Sequence, residues 1–508
     1  MKKLLPATLA QDGPASIVVF LVALPLCMGI AIASGVAPEK GLLTGIIGGL
    51  IVGALSGSPL QISGPAAGLA VIVFELITES GIGALGPILL LAGVIQFVAG
   101  VMRLGQWFRA ISPAVVHGML AGIGVLIVAG QLHVMLDAKP HPHGYENLLA
   151  VPAAYWGLWP LDGSGAERPL LIGLVTIAAM IGWEKLRPAS LRLVPGALLG
   201  VGAGTILALA LHMPVAHVQV PASMISSISL PTLDSLAALL SWKSIVTAGA
   251  VAFIASAETL LSAGAVDGMH DGPRTAYNRE LSAQGVGNIL CGLLGGLPMT
   301  GVIVRSSANV QAGAKTRASA ILHGAWLLVA VALLGGLLRA IPMAALAGVL
   351  VVTGFRLVGF GHLKHLLHRH GPLPAGIWAV TLVTVVATDL LTGVVVGIGL
   401  SLLELLPFLR RTKLLVRTRP IGGAGAWEVN LSGSATMLQF PRLAQALEAI
   451  PAATAVTIRM RSLWFVDHTC AEFMSSWIAR RRAAGDTVRI DTGEVARHRK
   501  LATSFAPA

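Results

Sequence analysis

The sequence predicts an all-α polytopic membrane domain of fourteen transmembrane segments, followed by a small α/β domain. Three observations predict it. The 508 residues are 55% hydrophobic and only 11% charged, where a soluble globular chain is about a quarter charged. Apolar runs recur from Pro14 to Phe408, many of them close to the roughly 20 residues that cross a bilayer as a helix. After Phe408 the composition turns polar, and strand and helix patterns alternate.

The formal charge of +12 does not point to nucleic acid. The basic residues sit in short loops between apolar runs, where they mark the cytoplasmic side. Cys27, Cys291 and Cys470 fit no disulfide or metal spacing. The first run follows Lys2 and Lys3. It has no clear small-residue cleavage site, so it reads as a first membrane helix and not as a signal peptide.

In order, the apolar runs lie near 14–34, 41–57, 64–78, 84–102, 113–132, 169–184 and 193–212, then 245–264, 281–297, 302–313, 318–338, 341–359, 374–390 and 391–408. Charge checks the count. With the N-terminus inside, even-numbered segments end in the cytoplasm. Arg103 and Arg109 follow the fourth; Lys185, Arg187 and Arg192 follow the sixth; Arg274 and Arg279 follow the eighth. Lys315 and Arg317 follow the tenth; Arg356, Lys364 and Arg369 the twelfth; Arg410, Arg411 and Lys413 the last. Both termini are therefore expected in the cytoplasm, with the chain in the plasma membrane.

Segments three and ten each begin at a Gly/Pro break, Ser63-Gly64-Pro65-Ala66 and Pro298-Met299-Thr300-Gly301. They are third in each set of seven. Matching interrupted helices point to an inverted repeat with its binding site at the repeat interface. A helix starting near Thr300–Gly301 would aim free N–H groups and a positive dipole end into the membrane, beside Arg305. Candidate substrate residues are therefore Arg305, Ser306, Thr300 and Gly301, with Gly64, Pro65 and Ala66 on the other break. The chemistry implied is anion binding. The alternative is an Arg305 that holds lipid phosphate at a membrane surface.

Segment eight carries a lone intramembrane acid, Glu258, with Ser262 one turn on. These are candidate coupling-ion residues. Glu258 is open to four uses: taking up a proton, coordinating a cation, pairing with Arg305, or a helix-packing hydrogen bond.

Past Phe408, residues 410–419 read as a basic linker. Strands are expected at 426–433, 455–460 and 487–491, and helices at 440–450 and 470–484. No Gly-rich phosphate loop occurs there. His133, His141 and His143, and also His362, His365, His368 and His370, read as solvated loop residues, since no cysteine joins either set.

Taken together, these residues resemble the SulP family of anion transporters (sulfate permeases, solute carrier family 26). The resemblance is carried by Asn278-Arg-Glu-Leu-Ser-Ala-Gln-Gly-Val-Gly-Asn, by Gly295-Gly-Leu-Pro-Met-Thr-Gly and by Arg305 to Thr316. Ser63-Gly64-Pro65 and Ala257-Glu258-Thr-Leu-Leu-Ser262 add to it. The tail is similar to a STAS domain. The resemblance implies a transmembrane domain at 1–412 of 7+7 inverted repeats, divided into core and gate, a STAS domain at 413–508, and a homodimer. It implies an anion, bicarbonate or sulfate, between the N-termini of helices three and ten, with sodium or a proton coupled through the Glu258 position. Some similar bacterial members are associated with carbonic anhydrases. No cofactor is implied. The tail departs from the signalling STAS pattern: His468, not serine, follows Asp467. An uncoupled anion channel or exchanger, or an anion sensor acting through the tail, are the other readings. An enzyme is not, since no nucleophile–base constellation appears.

Overall fold

The computed structural model describes residues 5–491, apart from 109–110, 142, 159–164, 192, 220–227, 238–240, 271, 406–413, 422–425 and 452–454. Arg109, Arg192, Arg410, Arg411, Lys413 and the chain beyond Asp491 thus lie outside the described residues. The contacts define two units. One is Met1–Gly105 with Leu120–Gly359 and Val383–Thr392; the other is Gln106–Met119 with Phe360–Leu382 and Gly393–Ala508.

The first unit starts with α1 (Leu5–Ala33) and α2 (Pro38–Ile47), the latter prolonged by a π turn at Gly48–Val52. A three-residue strand, β1 (Ser63–Pro65), comes next, then a 3-10 turn at Ala67–Leu69 and the short α3 (Ala70–Ser80). The chain continues through α4 (Leu85–Val101), α5 (Pro113–Val134), α6 (Glu167–Leu186) and α7 (Gly196–Ala210). The later helices are α8 (Trp242–Asp267) and α9 (Tyr277–Leu294), then strand β2 (Met299–Gly301) and α10 (Ile303–Gln311). After them come α11 (Ala318–Leu333) and α12 (Met343–Val358); α13 (Pro372–Ala387) and α14 (Leu390–Leu405), and the first residues of α5, fall mostly to the second unit. Among the described residues, seven helical stretches are long and apolar enough to cross a membrane. At 11 and 9 residues, α3 and α10 are too short to do so alone.

The break before α10 differs from the expectation. No helix starts at Thr300–Gly301; those residues are in β2, and the helix starts at Ile303. The cause is the partner strand: β1 pairs antiparallel with β2, setting Ser63 opposite Gly301, Gly64 opposite Thr300 and Pro65 opposite Met299. Gly295, with φ +74°, ends α9 in the left-handed conformation and turns the chain toward β2.

Helices α4 and α9 pack through glycine. A Cβ on Gly285 would lie 2.4 Å from the Phe97 nitrogen, and one on Gly93 would lie 2.5 Å from that of Ile289. Small residues let the two backbones touch. That closeness holds a polar stripe on α9 against the broken helices. Glu280, fully buried, accepts from Ser56 Oγ at 2.6 Å and from the Gly57 and Ser58 N–H groups at 2.9 Å each. Gln284 donates to Ser63 Oγ at 2.6 Å. Asn288 donates to the Met299 carbonyl and accepts the Met299 N–H at 2.8 Å. The spacing of i, i+4 and i+8 puts all three on one face.

In the second unit, the C-terminal part is a four-stranded sheet in the order β3 (Leu414–Ile421), β4 (Ala426–Ala435), β5 (Ala455–Val466), β6 (Val488–Asp491). β3 runs antiparallel to β4 and the other pairs are parallel. Helices α15 (Phe440–Glu448) and α16 (His468–Ala483) bury Phe440, Leu443, Met474 and Trp477 against it. β3 occupies most of the expected basic linker. It is an edge strand whose residues from Arg417 to Ile421 are exposed, so its pattern reads as a linker. Two arginines in the sheet have a partner: Glu428, 1% exposed, lies 2.8 Å from both Arg419 and Arg459. Asp467 caps α16 by accepting the Cys470 N–H at 2.8 Å, and burial pushes its carboxyl above the usual range.

The second histidine set is not a solvated loop. His362 and His365 sit on a helix, Phe360–His370. The His362 ring stacks on His117 with centroids 4.1 Å apart, and His365 Nε2 lies 3.6 Å from Glu472 Oε2. In the first set, His133 is 3% exposed, edge-on to His141. Among the described residues no group of histidine, cysteine and carboxylate side chains is arranged to hold a metal.

Candidate functional site

The two broken helices meet at the β1–β2 ladder. Because the strands are antiparallel, the turn that opens α3 leaves one end of the ladder and α10 leaves the other. At about 3.3 Å per residue, the three-pair ladder spans roughly 7 Å between the strand ends from which the two helix starts leave. Each start carries N–H groups with no carbonyl one turn back, and the positive end of a dipole. Ile303 and Val304, 38% and 40% exposed, bring the first turn of α10 to the surface of the unit.

Five of the predicted residues build this framework, Gly301 standing opposite Ser63 in the ladder. Gly64 and Thr300 face each other in the ladder, Pro65 pairs with Met299, and the Ala66 N–H donates to the Pro298 carbonyl at 3.1 Å. The Thr300 hydroxyl is buried without a partner. Gly301 gives its N–H to Thr259 Oγ1 at 3.1 Å. Ser306 acts as a strut: its hydroxyl accepts the Ile62 N–H at 2.9 Å and donates to the Val302 carbonyl at 2.7 Å.

Arg305 is fully buried, and none of its three guanidinium nitrogens has a hydrogen-bond partner. It turns inward, behind the ladder: a Cβ on Gly64 would lie 2.2 Å from Nη1. Any side chain at Gly64 would have to displace the guanidinium from over the β1 backbone. Cys27 of α1 and His323 of α11 lie within its electrostatic reach. The arrangement is a buried positive charge with no carboxylate hydrogen-bonded to it, set directly behind two helix N-termini. It is not at a lipid-facing surface.

Glu258 is on α8 and does not pair with Arg305. Its Oε2 is buried without a partner and would lie 2.7 Å from a Cβ on Gly68, in the turn that opens α3. The carboxylate therefore sits at the positive end of α3, where a negative charge is favoured. Ser262, 7% exposed, is one turn further along α8. The next residue, Thr259, braces both strands: it takes the Gly301 N–H on its hydroxyl and the Gln61 carboxamide on its carbonyl at 2.9 Å.

Sequence reasoning missed Gln61, Glu280, Gln284 and Asn288, and placed Thr259 only beside Glu258 and Ser262. Glu280, Gln284 and Asn288 did carry a signal: polar residues at strict i+4 spacing along one helix.

Comparison with known proteins adds to this geometry. The model of a family described as the sulfate permease family matches residues 9–381. A putative sulfate transporter of Bacillus subtilis, YvdB, is 29% identical over 412 residues, which is 79% of this chain and 74% of that one. The bicarbonate transporter BicA of a Picosynechococcus species is 26% identical over 407 residues, 78% of this chain and 69% of that one. Among solved structures, SLC26A9 is similar with a TM-score of 0.68 over 98% of this chain and 86% of that one, at 14% identity; that likeness is one of fold.

Proposed function

From the premise that the chain belongs to the sulfate permease family, whose members are anion transporters and not enzymes, we propose that it moves bicarbonate or sulfate across the plasma membrane by secondary active transport coupled to sodium or protons. The observation that carries the proposal is the pair of helix N-termini tied by β1–β2 and backed by the unpartnered charge of Arg305. In this reading the anion sits between the starts of α3 and α10. It is held by backbone N–H groups and attracted by Arg305 through the strand. Gly64, Pro65, Ala66, Thr300, Gly301 and Ser306 shape the seat. Glu258 and Ser262 receive the coupling ion. The relatives that carry sulfate or bicarbonate in their names support the substrate class.

The same reading has fourteen spans in two inverted halves, supported by α3 and α10 as third elements that leave an antiparallel ladder in opposite directions. Both termini in the cytoplasm, a homodimer and a carbonic anhydrase partner for a bicarbonate carrier rest on the family resemblance alone. The test is uptake into proteoliposomes of a panel of labelled anions under imposed sodium and proton gradients. Saturable accumulation of bicarbonate or sulfate that follows one cation gradient is the expected outcome. Flux that only equilibrates each anion would replace the reading with an uncoupled channel or exchanger.

All candidate site residues lie before Phe408, so deleting residues 413–508 is expected to leave anion binding intact. It removes the Ser112–His468 hydrogen bond of 2.6 Å and the carboxylate of Glu404 loses its ring partner at 3.3 Å, so thermal stability and transport rate should fall. Equilibrium binding of labelled anion to the truncated protein, beside a melting curve, checks this. A folded truncation without any binding would move the site out of the membrane part.

A further inference from the structure

Two cavities lie in series along one side of α3. The wider, about 550 Å³, is walled by the α1–α2 turn at Gly35–Pro38, the segment after α5 that includes Lys139, and His217. The narrower, about 40 Å³, lies between Ala70 and Val71 on α3 and Gly130 and Gln131 on α5. Phe74 and Pro140 wall both. The narrower cavity thus ends against the first residue of α3, beside the helix start proposed above to hold the anion.

Two features make this more than a packing gap. Phe74 has a fitted seat: Gly35 has φ +72°, and a Cβ there would lie 2.8 Å from the Phe74 ring. The α1–α2 turn is shaped, by a residue that only glycine suits, to take the ring between the two cavities. Gln131 is 2% exposed, and its carboxamide oxygen is buried with no partner. A buried polar atom of this kind is unfavourable unless something polar visits it. The other side of the narrow cavity is held in place: Asn147 accepts the His141 N–H at 2.8 Å and donates to the His141 carbonyl at 3.0 Å.

We propose that these cavities are the route by which the anion passes between solvent and the start of α3, that Phe74 closes it, and that the Gln131 carboxamide is the polar contact made in passage. The proposal rests on the anion-transport reading. A carboxamide both donates and accepts. It therefore suits an oxyanion such as bicarbonate, which does both.

The test uses the full chain in proteoliposomes. None of Cys27, Cys291 and Cys470 lines either cavity, so a Gln131→Cys variant puts a single thiol on the route, reached by reagent when the route opens. A membrane-impermeant thiosulfonate should label it, block uptake, and be slowed by saturating bicarbonate. Adding Phe74→Ala should speed the labelling severalfold. Gln131→Leu should raise the KM for bicarbonate about two- to tenfold, the loss of one neutral hydrogen bond, with equilibrium binding unchanged; Gln131→Asn should recover part of it. A labelled Gln131→Cys protein that transports at the unlabelled rate overturns the route. A labelling rate indifferent to Phe74→Ala overturns the closure. A Gln131→Leu protein that is less stable but keeps its KM makes Gln131 a packing residue. Failure of the central anion site is separable: there Arg305→Ala leaves binding unchanged, while labelling of Gln131→Cys still blocks uptake.

Discussion

Arg305→Ala is expected to weaken anion binding about ten- to hundredfold while leaving the chain folded. The size follows from where the guanidinium sits. It is fully buried with no carboxylate on its nitrogens, only the Cys27 thiol beside it, so it acts by charge across the β1 backbone and not by a hydrogen-bonded fork. At an effective dielectric of about 20, a unit charge roughly 6–10 Å from an anion is worth about 1.7–2.8 kcal/mol, which matches the fold-change. Two further results follow. Arg305→Lys should keep most of the affinity, because charge and not planar geometry is used. The thermal stabilisation that bicarbonate or sulfate gives the parent should shrink in Arg305→Ala, since at a given concentration a weaker ligand stabilises less. Isothermal titration and melting curves read both. An Arg305→Ala protein that binds every anion as the parent does would remove the central site.

Glu258→Gln is expected to keep anion binding and abolish accumulation against a gradient, while exchange of anion for anion survives. The structure sharpens the reason. The Glu258 carboxylate lies against Gly68 at the positive end of α3, so when ionised it competes with the anion for the same dipole. A proton or bound cation on Glu258 removes the competitor and the anion binds better. By linkage, the anion must then raise the affinity for that cation equally. Glutamine fixes the neutral state and cuts the dependence. Uptake under imposed gradients decides: undiminished accumulation with the same sodium or proton dependence would leave Glu258 a packing residue.

Which parts of this were legible in the sequence has a physical pattern. The two helix breaks were legible because proline and glycine act locally, and so was the buried charge at Arg305, because an arginine in an apolar run is conspicuous wherever it points. Its direction was not, since that depends on Gly64, more than two hundred residues away in sequence. The β1–β2 ladder was illegible for the same reason: three-residue strands have no periodicity of their own, and they exist only because the chain brings them side by side. Edge strand β3 was hidden by its exposed arginines, and the pairing of His365 with Glu472 by sequence separation. The Glu280, Gln284 and Asn288 stripe was visible as spacing, but its meaning came only with the partners it holds.

The ladder also limits how cargo leaves. The starts of α3 and α10 share three residue pairs, and they are cross-stitched by Val302 to Ile62, Ser306 to Ile62, Ala66 to Pro298 and Asn309 to Leu60. Gln61 and Gly301 are both clasped by Thr259 of α8. Prising the helix ends apart would break all of these in a buried place, each at a cost. The holder is therefore a single stiff piece. On the proposed reading, an ion seated in it would be released when the piece is carried past its surroundings, or when a cover is lifted from it, and not by the jaws opening.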